Sequence, residues 1–164
     1  MDREYSRSLR RSFPVIALLL MVASFCAAGC GTRTDESGRT PVSSGGTIST
    51  PVGDLTVPEF WNDGVTAEDV SSEEQYLMRF YGRDGEAESL LFELSIGENG
   101  TGYFVGSAPD KNGKMLPIQV EIREVEAADT WTEEQTAAIN RLQEGVNDLL
   151  DQLYSLDGFV KAEN

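Results

Sequence analysis

The sequence predicts an α+β fold: an antiparallel β-meander of about four to six strands with one C-terminal amphipathic helix packed on one face. Three observations predict it. Ile118, Val120 and Ile122 alternate with Gln119, Glu121 and Arg123, the period of two expected of a strand with one buried and one solvated face. Ile139, Leu142, Val146, Leu149, Leu150 and Leu153 recur at the spacing of a single helical stripe. Upstream of both, several β-prone runs are separated by glycine-containing turn signals.

Taken in order, residues 48–61 mix short β-prone stretches with Pro51 and Pro58, which predicts an edge strand that ends in a turn. Pro58, Glu59, Phe60 and Trp61 read as a short helical turn docking its aromatics on the core. Residues 65–70 form a weak strand candidate. Residues 75–81 alternate Tyr76, Met78 and Phe80 against Leu77, Arg79 and Tyr81, and residues 82–85 turn the chain. In the next strand Leu90, Phe92, Leu94 and Ile96 are expected on one face, with Glu93 and Ser95 on the other, and residues 97–100 are expected to supply a hairpin. Residues 101–107 give a further strand, and Asp110, Lys111, Asn112 and Gly113 a loop whose Asn-Gly pair suits positive φ.

The helix start carries two candidate capping boxes, Thr132 with Gln135 or Thr130 with Glu133, and Gly158 is a candidate terminator. Gly145 costs about 1 kcal/mol relative to alanine inside a helix, so close packing against the sheet is its expected purpose.

The first thirty residues carry the clearest functional signal. Arg3, Arg7, Arg10 and Arg11 precede a nearly uninterrupted apolar run from Val15 to Ala28, and Gly29 and Cys30 come next. A run of about 14 residues is short of the roughly 20 that span a hydrocarbon core, so a cleaved export signal is expected over residues 1–29. Cleavage between Gly29 and Cys30 leaves a cysteine at the new N-terminus. General secretory cleavage after Ala28, where Cys26, Ala27 and Ala28 are small, and retention as an uncleaved anchor are the alternatives. An unpaired thiol outside the cell is a liability, and lipidation accounts for Cys30 better.

Ala28, Gly29 and Cys30 resemble the processing box of bacterial lipoproteins, with Ala27 where that family most often has leucine. The resemblance implies an acylated Cys30 holding the protein in the lipid bilayer, on the outer face of the cytoplasmic membrane. The run Pro51, Val52, Gly53, Asp54, Leu55 leading to Phe60 and Trp61, with the strand ending at Ile96, the Tyr103 strand and the terminal helix, is similar to small uncharacterised lipoproteins of anaerobic Gram-positive bacteria. That similarity implies a short α+β domain and supplies no catalytic residue. Residues 30–47, rich in Gly, Ser and Thr, are expected to be a flexible tether, and 48–164 a single domain.

Composition narrows the chemistry. The chain has 13 basic and 28 acidic side chains, no histidine and a net charge of −15. Loss of the leader removes four arginines and two acids, leaving 9 basic and 26 acidic residues and a net charge of −17. Such a field repels phosphate backbones, so no nucleic-acid partner is expected. Without histidine, and with Cys30 blocked, histidine-based triads and thiol nucleophiles are excluded.

The expectation is a non-enzymatic binding domain, with no cofactor, no metal and no catalytic residue. Its partner would be an envelope protein, a small ligand or a wall polymer. The alternative is a carboxylate-dependent hydrolase or calcium-dependent module acting on cell-wall polymers. Asp110 to Gly113 open like a calcium loop, but Lys114 and Met115 come next and a hairpin loop is the simpler expectation. Asn99, Gly100 and Thr101 match a glycosylation sequon and read as a turn. Most aromatics are expected to fill the core; Trp61, in a loop, and Tyr81, on the outer strand face, are the candidates for an exposed ligand surface.

Overall fold

The computed structural model describes residues 38–62 and 64–163. The expected export signal, the expected Gly29–Cys30 cleavage site and the first part of the expected tether lie outside these residues. The fold is α+β, the class that the strand and helix periodicities predict. Among the described residues, a seven-stranded, wholly antiparallel sheet carries one C-terminal helix, and a separate two-stranded hairpin lies beside it.

Paired structure begins inside the span 30–47 expected to be a tether. β1 (Thr40–Pro41) pairs with β4, and Val42 is buried with its N–H donating to the Val65 carbonyl at 2.9 Å. β2 (Thr47–Thr50) and β3 (Gly53–Thr56) form a tight hairpin where one edge strand was expected, burying Ile48 and Leu55 on one side. A 3₁₀ turn (Glu59–Trp61) comes next and seats Trp61 in the core, as its docking role requires.

β4 (Val65–Asp69), β5 (Tyr76–Asp84) and β6 (Ala87–Ile96) are neighbours in chain order, like a meander. The next step departs from one. β7 (Tyr103–Pro109) does not pair with β6; β8 (Met115–Ile122) inserts between them, giving the order β1-β4-β5-β6-β8-β7-β9. Residues 97–102 are therefore a crossing connection rather than the expected hairpin. The hairpin is at 110–114, where Asp110 Oδ1 accepts from the N–H groups of Asn112 and Lys114 at 2.8 and 2.9 Å.

The strict alternation expected in β6 fails at one residue. Phe80 pairs with Phe92 and Tyr81 with Leu90, so Leu91 is a bulge. The extra residue changes parity, and Ala87 and Leu91 join Phe92, Leu94 and Ile96 in the core while Leu90 turns to the outer face.

Helix α1 (Glu133–Tyr154) opens with the Thr132–Gln135 capping box, both reciprocal bonds formed at 2.9 and 3.1 Å. It buries Ile139, Val146, Leu149 and Leu153, each contributing roughly 1.5–3 kcal/mol before entropy is counted. Ser155, not Gly158, caps its end; Gly158 takes positive φ in the turn beyond, which leads to β9 (Val160–Lys161) on the β7 edge. Gln152 completes the seam between helix and hairpin: its amide accepts from Thr56 N–H at 2.6 Å and donates to Thr56 C=O at 2.9 Å. Among the described residues no helix is long and apolar enough to cross a membrane.

Candidate binding surface

Strand pleating divides the sheet's polar side chains from its core, and register then sets which of them meet. Glu68 on β4 lies opposite Arg79 on β5, Arg79 opposite Glu93 on β6, and Glu93 opposite Glu121 on β8. This row runs across the face turned away from α1. Arg79 reaches Glu93 at 3.1 Å and Glu68 at 3.9 Å, and Arg123 reaches Glu121 at 3.0 Å and Glu93 at 3.5 Å. Glu93 is the deepest member, its side chain 7% exposed, and two arginines flank it. Its hydrogen bond to Arg79 holds that guanidinium above its usual pKa.

Tyr81, one of the two aromatics expected at an exposed ligand surface, belongs to the same network. Its hydroxyl donates to Glu68 Oε2 at 2.9 Å, and the Arg39 guanidinium lies 3.5 Å from its ring centroid while pairing with Glu88. Burial, and then the bond to Glu68, push the phenol's pKa up. One face of the ring is thus covered by this protein's own cation.

Trp61 corrects the expectation outright. It is 0% exposed, packs on Phe80 with ring centroids 5.9 Å apart, and donates its indole N–H to the Leu142 carbonyl at 2.8 Å. A loop position suggested exposure, but the 3₁₀ turn folds the side chain under α1.

The exposed aromatics lie elsewhere. Tyr103 and Phe104, consecutive on β7, are 80% and 52% exposed. Pairing places Tyr103 opposite Val120, on the helix side of the sheet, and Phe104 opposite Gln119, on the outer side. The edge strand β9 reaches only Gly106 and Ser107, with one more bond from Ala162 N–H to Val105 C=O, so it stops short of both. Their signal in the sequence is adjacency: consecutive aromatics in a strand point to opposite faces, and one sheet edge rarely covers both.

Next to Tyr103 on the helix side, the end of β8 leaves Ile122 half exposed. A groove of about 370 Å³ runs from there along α1, bounded by Ile122, Arg123 and Glu124 on one side and Asn140, Gln143 and Asn147 on the other. The two walls are tied by a hydrogen bond from Gln143 Nε2 to the Arg123 carbonyl. Comparison with family models, curated proteins and solved structures returns no match for this chain.

Proposed function

We propose that this protein is an exported lipoprotein, held to the outer face of the cytoplasmic membrane by an acyl group on Cys30, whose acidic domain is a non-enzymatic binding module for another envelope component. The anchoring half of the proposal rests on the basic, apolar and small-residue order of residues 1–30. The binding half is carried by one observation, the outward Tyr103 and Phe104 at the uncovered end of β7. Aromatic side chains standing free on a well-packed sheet cost solubility unless something covers them.

The acidic residues of the outer face support binding over hydrolysis. Glu68, Glu93 and Glu121 each lie within ion-pair distance of an arginine, so these carboxylates are engaged in the sheet's own ion row rather than facing one another across a cleft.

Two measurements test the two halves. Metabolic labelling with a fatty acid should mark the wild-type chain and not Cys30→Ala, which should leave the membrane fraction; equal labelling and retention would overturn the anchor. Hydroxyl-radical footprinting of Tyr103 and Phe104 in intact cells should show both protected relative to the purified chain. Equal modification in the two settings would overturn the binding assignment.

A further inference from the structure

We infer that the groove between α1 and the end of β8 is a binding site for a neutral, N-acetylated oligosaccharide, with Tyr103 as its stacking platform. The inference rests on the binding role proposed above and names its site and ligand class.

The helix wall is a stripe of primary amides. Asn140, Gln143 and Asn147 are spaced by three and four residues, so they stand one above another on one side of α1. Each amide both donates and accepts, which matches sugar hydroxyls and the planar acetamido group of an N-acetylhexosamine. Gln143 is held by its bond to the Arg123 carbonyl, which fixes its orientation and turns Oε1 into the remaining acceptor.

The floor is apolar. Val146 lies buried beneath it with almost no surface of its own, so half-exposed Ile122 supplies the apolar patch that suits the C–H face of a pyranose ring. Tyr103 shares the sheet face of Val120 and Ile122, one position along the strand pair, within the diagonal reach of an aromatic side chain. Its free ring extends the apolar floor towards the β7 edge. At about 370 Å³ the groove falls within the common range for small-ligand sites.

Charge selects within the class. Glu124 and Glu144 line the groove, and Arg123 is already paired with Glu93 and Glu121. Sugars bearing carboxylate or phosphate are therefore repelled, more so by the net charge of −17 that remains after loss of the leader's four arginines and two acids.

The test uses the full chain in a non-glycosidic detergent, with the β-1,4-linked hexamer of N-acetylglucosamine as probe and a polygalacturonate oligomer as the anionic control. Hydrogen exchange should slow at residues 120–124 and 140–147 with the hexamer and stay unchanged with the control. Tyr103→Ala should weaken binding about three- to tenfold, the scale of one aromatic contact, and Asn140→Ala with Asn147→Ala should weaken it further. These side chains are exposed, and unchanged melting temperatures would confirm folded variants. No exchange protection in the wild-type chain overturns the inference, as does binding that the Asn140 and Asn147 variants leave intact. If Tyr103 and Phe104 are protected in cells but the hexamer does not bind, the glycan assignment alone fails. If neither occurs, the binding role fails with it.

Discussion

Trp61 occupies the space a side chain on Gly145 would need. A Cβ built on Gly145 collides with the indole, which sits against the helix and donates to Leu142 C=O one turn earlier. Glycine here is a packing requirement of the helix, and its partner is the 3₁₀ turn rather than the sheet face expected from the sequence.

Two effects of Gly145→Ala oppose each other. Alanine gains about 1 kcal/mol in helix propensity. Displacing a fully buried indole costs about 1–3 kcal/mol in overpacking and threatens a hydrogen bond of about 1 kcal/mol. The variant should therefore be less stable by about 1–3 kcal/mol in urea unfolding. A stabilised Gly145→Ala would mean that Trp61 does not hold this position in solution.

Leu149→Asp tests the helix stripe as a whole. Leu149 is fully buried, and an unpaired carboxylate there has no partner and no water. The loss should exceed about 4 kcal/mol, enough to leave a small domain substantially unfolded at room temperature. Circular dichroism should show a lost thermal transition. An unchanged transition would show the stripe to be solvent-facing.

Elements governed by local pattern were legible: the helix with its Thr132–Gln135 cap, the β5 alternation and the Asp110 loop are all set by neighbours within about four residues. Non-local pairing was not. The order of β7 and β8 is set by pairings between residues distant in the chain, such as Ile96 with Ile118, and nothing in residues 97–102 distinguishes a hairpin from a crossing connection. The Leu91 bulge was hidden because Leu90, Leu91 and Phe92 are all apolar, so parity could shift without a polar residue marking it. β2 and β3 were obscured by Ser, Thr and Gly, and part of their support comes from Gln152, almost a hundred residues away. The candidate site failed in the sequence for a related reason: exposure of Trp61, Tyr81 and Tyr103 is decided by what folds over each, and only the assembled sheet edge reveals that.

Arg79 sits between Glu68 and Glu93, so its removal tests whether the ion row contributes to stability. Exposed pairs contribute about 0–1 kcal/mol, but Glu93 is almost fully buried and would keep only Arg123. Arg79→Ala should cost about 1–2 kcal/mol. In the double variant with Glu93→Gln much of that loss should disappear, because the stranded charge is gone. Additive losses in urea unfolding would show that the two side chains do not interact.

Asp110 supplies the pH prediction. The backbone N–H of Lys114, and then that of Asn112, hold its carboxylate below its ordinary pKa. The folded value is thus lower than the unfolded one, so the unfolded chain binds the proton more readily. The stability Asp110 contributes is fully present above the unfolded value, near pH 4, and is lost as pH falls through the folded value. Asparagine keeps an oxygen that accepts both bonds but cannot take up a proton, so Asp110→Asn should lose little at pH 7 and show a flatter fall in stability below about pH 4. Other carboxylates titrate in both proteins, and the difference between their curves isolates this one. Urea midpoints measured at intervals over that range should converge as pH falls. Parallel curves would mean that the loop does not hold its carboxylate by these two bonds in solution.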